Sequence, residues 1–240
     1  FKTSSTPHDP SEGIMSGLKS IAEEYQLSIE MLLDITELII HGTTVATNTL
    51  VERKGAKVGL ITTEGFRDLL EMREGLKEDR YNLHMKPVEP LVARHLRIGI
   101  AERLSSSGEI LIPLDEESVD KALDTLEKEG VESLAVCFLF SFLNPEHEKR
   151  VLEKIAARFP KMYTSLSHQI IPQIKEFDRL STTAINSYVG PAFGSYLSNL
   201  KERLCQFRQY SEILIMQSNG GVAPIEDSIS AAVRAILSGP

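Results

Sequence analysis

The residues of this chain best suited to chemistry stand in two short runs of hydroxyls, amides and glycine. The first is His41-Gly42-Thr43-Thr44-Val45-Ala46-Thr47-Asn48. It follows the apolar Leu38-Ile39-Ile40 and opens a helical pattern, which puts it at the carboxyl end of a strand, where open α/β sheets bind ligands. Gly42 leaves room for close approach, Thr43 and Thr44 add neutral donors, and Asn48 falls one turn beyond Thr44 on the same helical face. Backbone N–H groups at such a turn suit an anionic oxygen. Taken alone, the same residues read first as a glycine turn followed by a plain helix cap. The second run, Gln217-Ser218-Asn219-Gly220-Gly221, also follows a strand pattern (213–216) and precedes a helical one. Its paired glycines would let the backbone approach a ligand, or simply make a loop.

Two charged groups come next. Glu176 and Arg179 lie three apart at the start of a long helical stretch, close enough to meet on one face, either as a surface ion pair or in a site. Arg67, Arg73 and Arg80 could receive a carboxylate or phosphate, or stand in solvent as loop arginines. The histidines His41, His84, His95, His147 and His168 fall in separate elements without metal-ligand spacing, and His147, near a helix start, is expected to face solvent. Cys137 sits inside an apolar run and reads as a small core residue. There is no complete P-loop, G-x-G-x-x-G or G-x-S-x-G, so no catalytic residue and no metal site is assigned.

The elements that must position these runs alternate between helix and strand. Ser11 is placed to cap a helix carrying Ile14, Leu18, Ile21 and Ala22. Strand, helix, strand and helix follow through 38–40, 45–53, 58–61 and 66–70, a sequence that implies a parallel or mostly parallel sheet. Residues 97–104 read as a strand turning at Ser105–Gly108 into Ile110–Ile112. Asp115 caps a helix with Val119, Ala122, Leu123 and Leu126 on one face, closed by Gly130. The continuous apolar run 134–140 predicts a strand buried on both faces, and Asn144-Pro145 starts another helix. A long helix over 175–207, bent at Gly190-Pro191, a strand at 213–216 and a last helix over 224–237 complete the pattern.

With 240 residues, 42% of them apolar, the chain can bury one sizeable core or two small ones. Its net charge of −8 and scattered cations argue against nucleic-acid binding. Two cysteines make no disulfide framework, and no apolar stretch approaches the roughly 20 residues that span a bilayer, so a cytoplasmic protein with no membrane or nucleic-acid partner is expected. Both ends read as cut, and the chain is expected to be an internal piece of a longer protein.

The order of the motifs carries more than any one of them. The runs Lys2–Pro7 and Asp9–Ile14, HGTTVATNTLVERKG from His41, GLITTEGFRD from Gly59, Arg80–Leu83, Pro113–Glu116 and Phe142–Glu148 follow one another as they do in the hydantoinase/oxoprolinase family. Arg179–Thr183, Tyr188–Pro191, Gln217–Gly221 and Leu237–Pro240 continue the series. The chain thus resembles the A-type, ATP-dependent subunit of that family over essentially its whole length. The family includes N-methylhydantoinase, 5-oxoprolinase, caprolactamase-like enzymes and the ATPase subunits of acetone and acetophenone carboxylases.

The resemblance implies an α/β fold: a partial ribonuclease-H-like lobe of the actin and sugar-kinase type over 1–90, lacking its first hairpin, and a small α/β unit over 91–172. A long helix and the start of a second hydantoinase A region fill 173–240. It implies ATP-driven phosphorylation of an amide oxygen by the parent protein with magnesium, a B-type partner subunit, and a small cyclic amide or ketone substrate. His41, Gly42, Thr43, Thr44, Asn48, Glu176, Arg179, Ser218, Asn219, Gly220 and Gly221 are the residues expected to face the cleft. The family's aspartate-glycine-glycine-threonine phosphate loop has no counterpart within these residues, so the piece alone is expected not to bind ATP and to be inactive. A non-catalytic assembly module is the rival description.

Overall fold

The computed structural model describes residues 1–3, 6, 9–75, 79, 81–82, 84–86, 88–207 and 213–238. In chain order the elements begin with α1 (Pro10–Glu24), α2 (Ile29–Asp34), β1 (Ile39–His41), α3 (Val45–Val51), β2 (Val58–Thr63) and α4 (Leu69–Met72). A 3-10 turn at Arg94–Leu96 leads into β3 (Arg97–Ile100), then β4 (Arg103–Leu104) and β5 (Ile110–Ile112). Next come α5 (Glu116–Lys128), β6 (Ser133–Cys137), α6 (Glu146–Arg158), β7 (Tyr163–Leu166) and α7 (Ser167–Ile170). The long α8 (Glu176–Cys205) precedes β8 (Ile213–Met216), β9 (Val222–Pro224), α9 (Ile225–Ser230) and a 3-10 turn at Ala232–Ala235.

The chain forms two compact units, one of residues 1–54 with 192–240 and one of 55–191. This grouping departs from the sequence boundaries at 90 and 172, and strand pairing is the reason. β2 pairs in parallel with both β3 and β6, and β6 with β7, giving one parallel sheet in the order β3-β2-β6-β7. All six residues of β2 and all five of β6 are buried, as strands covered on both faces must be. β1 does not join them. It pairs in parallel with β8, which pairs antiparallel with β9, so the two strands expected in one sheet lie in separate sheets.

In the unit of residues 55–191, α5 buries Val119, Ala122, Leu123 and Leu126, at i, i+3, i+4 and i+7. The Asp115 side chain accepts from the Glu117 and Ser118 amides and so satisfies two donors left open at the helix start. The expected strand over 97–104 is broken: β3 ends at Ile100, and β4 and β5 form a separate antiparallel hairpin. The first half of α8 lies in this unit and the second half in the other, the division falling at Pro191, through which the helix runs on.

In the other unit the cap of α1 is Asp9, not Ser11. Its carboxylate accepts from the Ser11 amide at 3.0 Å, with Pro10 preset for the first turn. The expected single helix over 224–237 is divided among β9, α9 and a 3-10 turn, with Ala231 in a non-helical conformation between the last two.

Candidate functional site

The parallel pairing of β1 with β8, His41 opposite Ile215, brings two of the expected runs to one sheet edge. The His41–Asn48 turn leaves the carboxyl end of β1, and the Gln217–Gly221 loop leaves that of β8 beside it. Thr43 is buried, its hydroxyl accepting from the Val45 amide at 3.3 Å. Thr44 is exposed and makes no side-chain cap bond, and Asn48 Nδ2 donates to its hydroxyl at 3.3 Å across one turn. The cap reading therefore attaches to Thr43, while Thr44 and Asn48 face outward. The backbone amides of Thr43 and Thr44 make no hydrogen bond with a described backbone group. A Cβ on Gly42 would stand 3.1 Å from Met216 Sδ, so a larger residue here would crowd that side chain of β8.

The second loop is largely self-contained. The Ser218 hydroxyl lies 2.7 Å from the Arg234 carbonyl and also bonds that of Ile236, and the Ser218 amide donates to Arg234 O at 2.7 Å. Asn219 Oδ1 accepts from the Gly221 amide at 2.9 Å, and Gly220 takes φ +84°, which favours glycine. The Leu237 amide donates to Thr47 Oγ1 at 2.9 Å, tying the segment after the last 3-10 turn to α3. Ser218 is thus committed to the fold, while Asn219, Gly220 and Gly221 are exposed beside Thr44 and Asn48 at the same sheet edge.

Tyr196, on α8, completes this edge and carried no local signal in the sequence. Its hydroxyl lies 2.6 Å from His41 Nε2, 155 residues away in the chain. The rings meet tilted by 54° at 5.8 Å between centroids. Burial lowers the proton affinity of His41 and raises that of the Tyr196 phenol, with the Thr43 hydroxyl beside the phenol acting against that rise.

Glu176 and Arg179 belong to the other compact unit. They line one small cavity with Thr62, Leu69, Cys137 and Leu180, but Glu176 is exposed whereas Arg179 is 1% exposed. Arg179 is therefore no surface ion pair. Its Nη2 donates to the Phe138 carbonyl and to Ser141 and Ser167, its Nε is buried without a partner, and the guanidinium lies 5.1 Å from the Phe142 ring centroid. Beyond Ser167 lies buried Glu148, whose Oε1 accepts from Ser167 and the Phe138 amide and whose Oε2 accepts from the His168 ring and amide. Burial alone would raise the Glu148 carboxyl, but the bonds from His168, Ser167 and the two amides hold it below the ordinary value.

His147, expected to face solvent, is 1% exposed. Its Nδ1 lies 2.8 Å from buried Glu102, which also takes a hydrogen bond from Thr63. A paired carboxylate inside the fold draws the ring inward. Cys137 is a core thiol, pushed by burial up to about 12, and is no nucleophile at neutral pH. Of the arginine set, Arg67 and Arg73 are described and Arg80 lies outside the described residues, as do Leu83 and the Gly239-Pro240 end of the last motif. No group of three histidine, cysteine or acidic side chains able to hold a metal ion occurs among the described residues. No helix among them is long and apolar enough to cross a membrane.

Residues 1–159 match the hydantoinase/oxoprolinase N-terminal region and residues 179–240 match hydantoinase/oxoprolinase. The caprolactamase subunit alpha of Pseudomonas jessenii is 39% identical over the whole chain, which covers 35% of that relative. The crystal structure of the ATP-dependent caprolactamase from Pseudomonas jessenii superposes on the whole chain with a TM-score of 0.90, at 39% identity and 35% coverage of its own length. The acetophenone carboxylase gamma subunit of Aromatoleum aromaticum is 33% identical over 93% of the chain and 32% of its own length. The chain therefore spans about a third of the length of these relatives. Matches at both levels cover its α/β fold and its parallel strands, and the chain belongs to the hydantoinase/oxoprolinase family.

Proposed function

We propose that the chain is part of the ATP-dependent subunit of an enzyme that activates the carbonyl oxygen of a small cyclic amide by phosphorylation, in the manner of a hydantoinase or 5-oxoprolinase. The observation that supports this most is the strand-end edge of the three-stranded sheet β1-β8-β9. There the amides of Thr43 and Thr44, which make no backbone hydrogen bond among the described residues, the exposed Asn48 and the Asn219–Gly221 backbone stand at the ends of two neighbouring parallel strands. An amide carbonyl is a poor electrophile, and moving a phosphoryl group onto its oxygen makes a good leaving group. Such transfer needs donors aimed at developing negative charge, which neutral amides and hydroxyls supply without repelling a polyanion. ATP enters as a substrate, with magnesium neutralising its phosphates.

On this reading His41, Gly42, Thr43, Thr44 and Asn48 with Ser218, Asn219, Gly220 and Gly221 form one wall of the cleft. Ser218 contributes through the shape of its loop. In the other compact unit, Glu176 takes an exposed position open to a ligand, and Arg179 braces the helix that carries it. The small sheet with α3 is part of a ribonuclease-H-like lobe of the actin and sugar-kinase type. A B-type subunit completes the reaction, in the cytoplasm. A second reading, the ATPase subunit of a ketone carboxylase, is favoured by the likeness to the acetophenone carboxylase gamma subunit.

The test is substrate-dependent ADP release by the full-length parent with its B-type partner. Stimulation by a lactam, hydantoin or oxoproline supports the amide reading, and stimulation only by a ketone with bicarbonate replaces it with the second. The 240 residues alone are expected to be inactive and to give no saturable heat with ATP and magnesium in calorimetry. Tight, magnesium-dependent binding would overturn that part of the proposal.

A further inference from the structure

Of the two ring nitrogens of His41, one is committed and one is free. Nε2 meets the Tyr196 hydroxyl at 2.6 Å. Nδ1 makes no hydrogen bond with a described residue. The ring closes β1, two residues before Thr43, whose amide, like that of Thr44, makes no backbone hydrogen bond among the described residues. In histidine the hydrogen bond made by one nitrogen sets what the other can do. A phenol oxygen that accepts from Nε2–H leaves the lone pair on Nδ1.

We propose that His41 Nδ1 is the base that takes up the proton shed by the substrate amide when its carbonyl oxygen is phosphorylated, and that Tyr196 is the positioning residue that keeps the ring's other proton on Nε2. The inference rests on the amide-activation reading above. As the amide oxygen bonds to the terminal phosphorus of a nucleoside triphosphate, the P–O bond to the departing nucleoside diphosphate breaks. The amide N–H pair becomes the second bond of C=N, and its proton passes to Nδ1. A neutral imidazole becomes an imidazolium, stabilised by the phenol oxygen at Nε2.

The surroundings keep the ring neutral beforehand. Burial lowers its proton affinity, so it is unprotonated and ready to accept at neutral pH. From α8 the titratable group facing it is Tyr196; from β8, its register partner Ile215 and the following Met216 carry no charge. Asp9 bears on Tyr196 rather than on the ring, and its carboxylate is itself paired with Arg203 at 2.7 Å.

Nitrogen-15 shifts of the histidines in the 240-residue chain read the tautomer directly. The Nε2–H form is expected for His41 in the native chain, and a mixture in Tyr196→Phe; an Nδ1–H form in the native chain overturns the assignment. In the full-length parent, His41→Gln should lower amide-dependent triphosphate hydrolysis about a hundredfold, and imidazole should partly restore His41→Gly. Tyr196→Phe keeps the ring's packing and covers the case in which His41 variants fail to fold. Losing the acceptor for the imidazolium should move the acid limb of its kcat/KM profile to lower pH, and an unmoved profile overturns the proposal. A parent that responds to amides but works unchanged as His41→Gln sinks the base alone. A native parent that answers to no amide overturns the function reading and the base with it.

Discussion

Arg179 and Glu148 are joined through a single hydroxyl: Ser167 Oγ accepts from Arg179 Nη2 at 2.7 Å and donates to Glu148 Oε1 at 2.6 Å. A buried cation and a buried carboxylate are thus coupled without touching, and Phe138, on the segment after β6, is held by both, its carbonyl by the arginine and its amide by the glutamate. The knot fixes the carboxyl ends of β6 and β7 to the starts of α6 and α8. Removing one partner of a buried charge pair leaves the other uncompensated and costs about 3–5 kcal/mol. Arg179→Met should approach that loss, while Ser167→Ala, which removes one neutral link, should cost about 1–3 kcal/mol. Urea unfolding of the three proteins gives the comparison, and an Arg179→Met chain as stable as the native one would show that the arginine braces nothing.

The same knot sets an acid limit. Glu148 is held below the ordinary carboxylate value in the folded chain, so folding favours its charged form. Its contribution is complete above the unfolded carboxylate range, about pH 4, and disappears as pH falls through the depressed folded value. Native stability should therefore decline more steeply on acidification than that of Glu148→Gln, measured relative to each protein's own value at pH 7. Parallel declines would mean that other carboxylates set the limit.

Where local pattern and local chemistry coincide, the fold was legible. Asp115 with the stripe Val119, Ala122, Leu123 and Leu126 announces α5, and the unbroken apolar run 134–140 announces a strand covered on both faces, which the fold places at Ser133–Cys137. Distant pairing was not. Nothing near Ile39–His41 says that β8 is its neighbour and β2 is not, because a three-residue strand carries too little pattern to specify a partner. His147 sits where a helix-start histidine would meet solvent, yet Glu102, across 45 residues of chain, turns it inward. Of the candidate site, the two loops at the ends of β1 and β8 could be picked out because glycine, threonine and asparagine cluster after strand patterns. Tyr196 could not, since one tyrosine on a long helix looks like any core aromatic until His41 is found against it.

Gly190 offers a packing test in the first half of α8. An added Cβ would lie 2.1 Å from the ring of Tyr163, whose hydroxyl accepts from Asn186 Nδ2 at 3.1 Å. Alanine would favour the helix by its own propensity, yet the ring must move and its hydrogen bond with it. Overpacking of this kind costs about 1–3 kcal/mol, so Gly190→Ala should lower the melting temperature. Gly190→Ala combined with Tyr163→Leu, which vacates the ring's far end, should cost less than the two single changes added together. An additive double variant would place the cost elsewhere.

Thr44 and Asn48 decide whether the first loop is a site or only a turn. Both are exposed, and they touch each other through one 3.3 Å hydrogen bond. The fold draws little on that bond: Thr43, not Thr44, makes the side-chain contact at the helix start, and Thr47, not Asn48, receives the Leu237 amide. Thr44→Val keeps the shape and removes the hydroxyl, and Asn48→Leu removes the amide, so both chains should melt within a degree or two of the native one, as surface changes commonly do. If these groups aim at charge that develops on the phosphorylated oxygen, each loss should lower turnover of the full-length parent by roughly tenfold to a thousandfold. A fall in kcat with KM little changed is the expected split, because the interaction is made mainly in the transition state. Two variants with native melting and native turnover would reduce His41–Asn48 to a glycine turn with a threonine cap, and the cleft would have to be sought at another sheet edge.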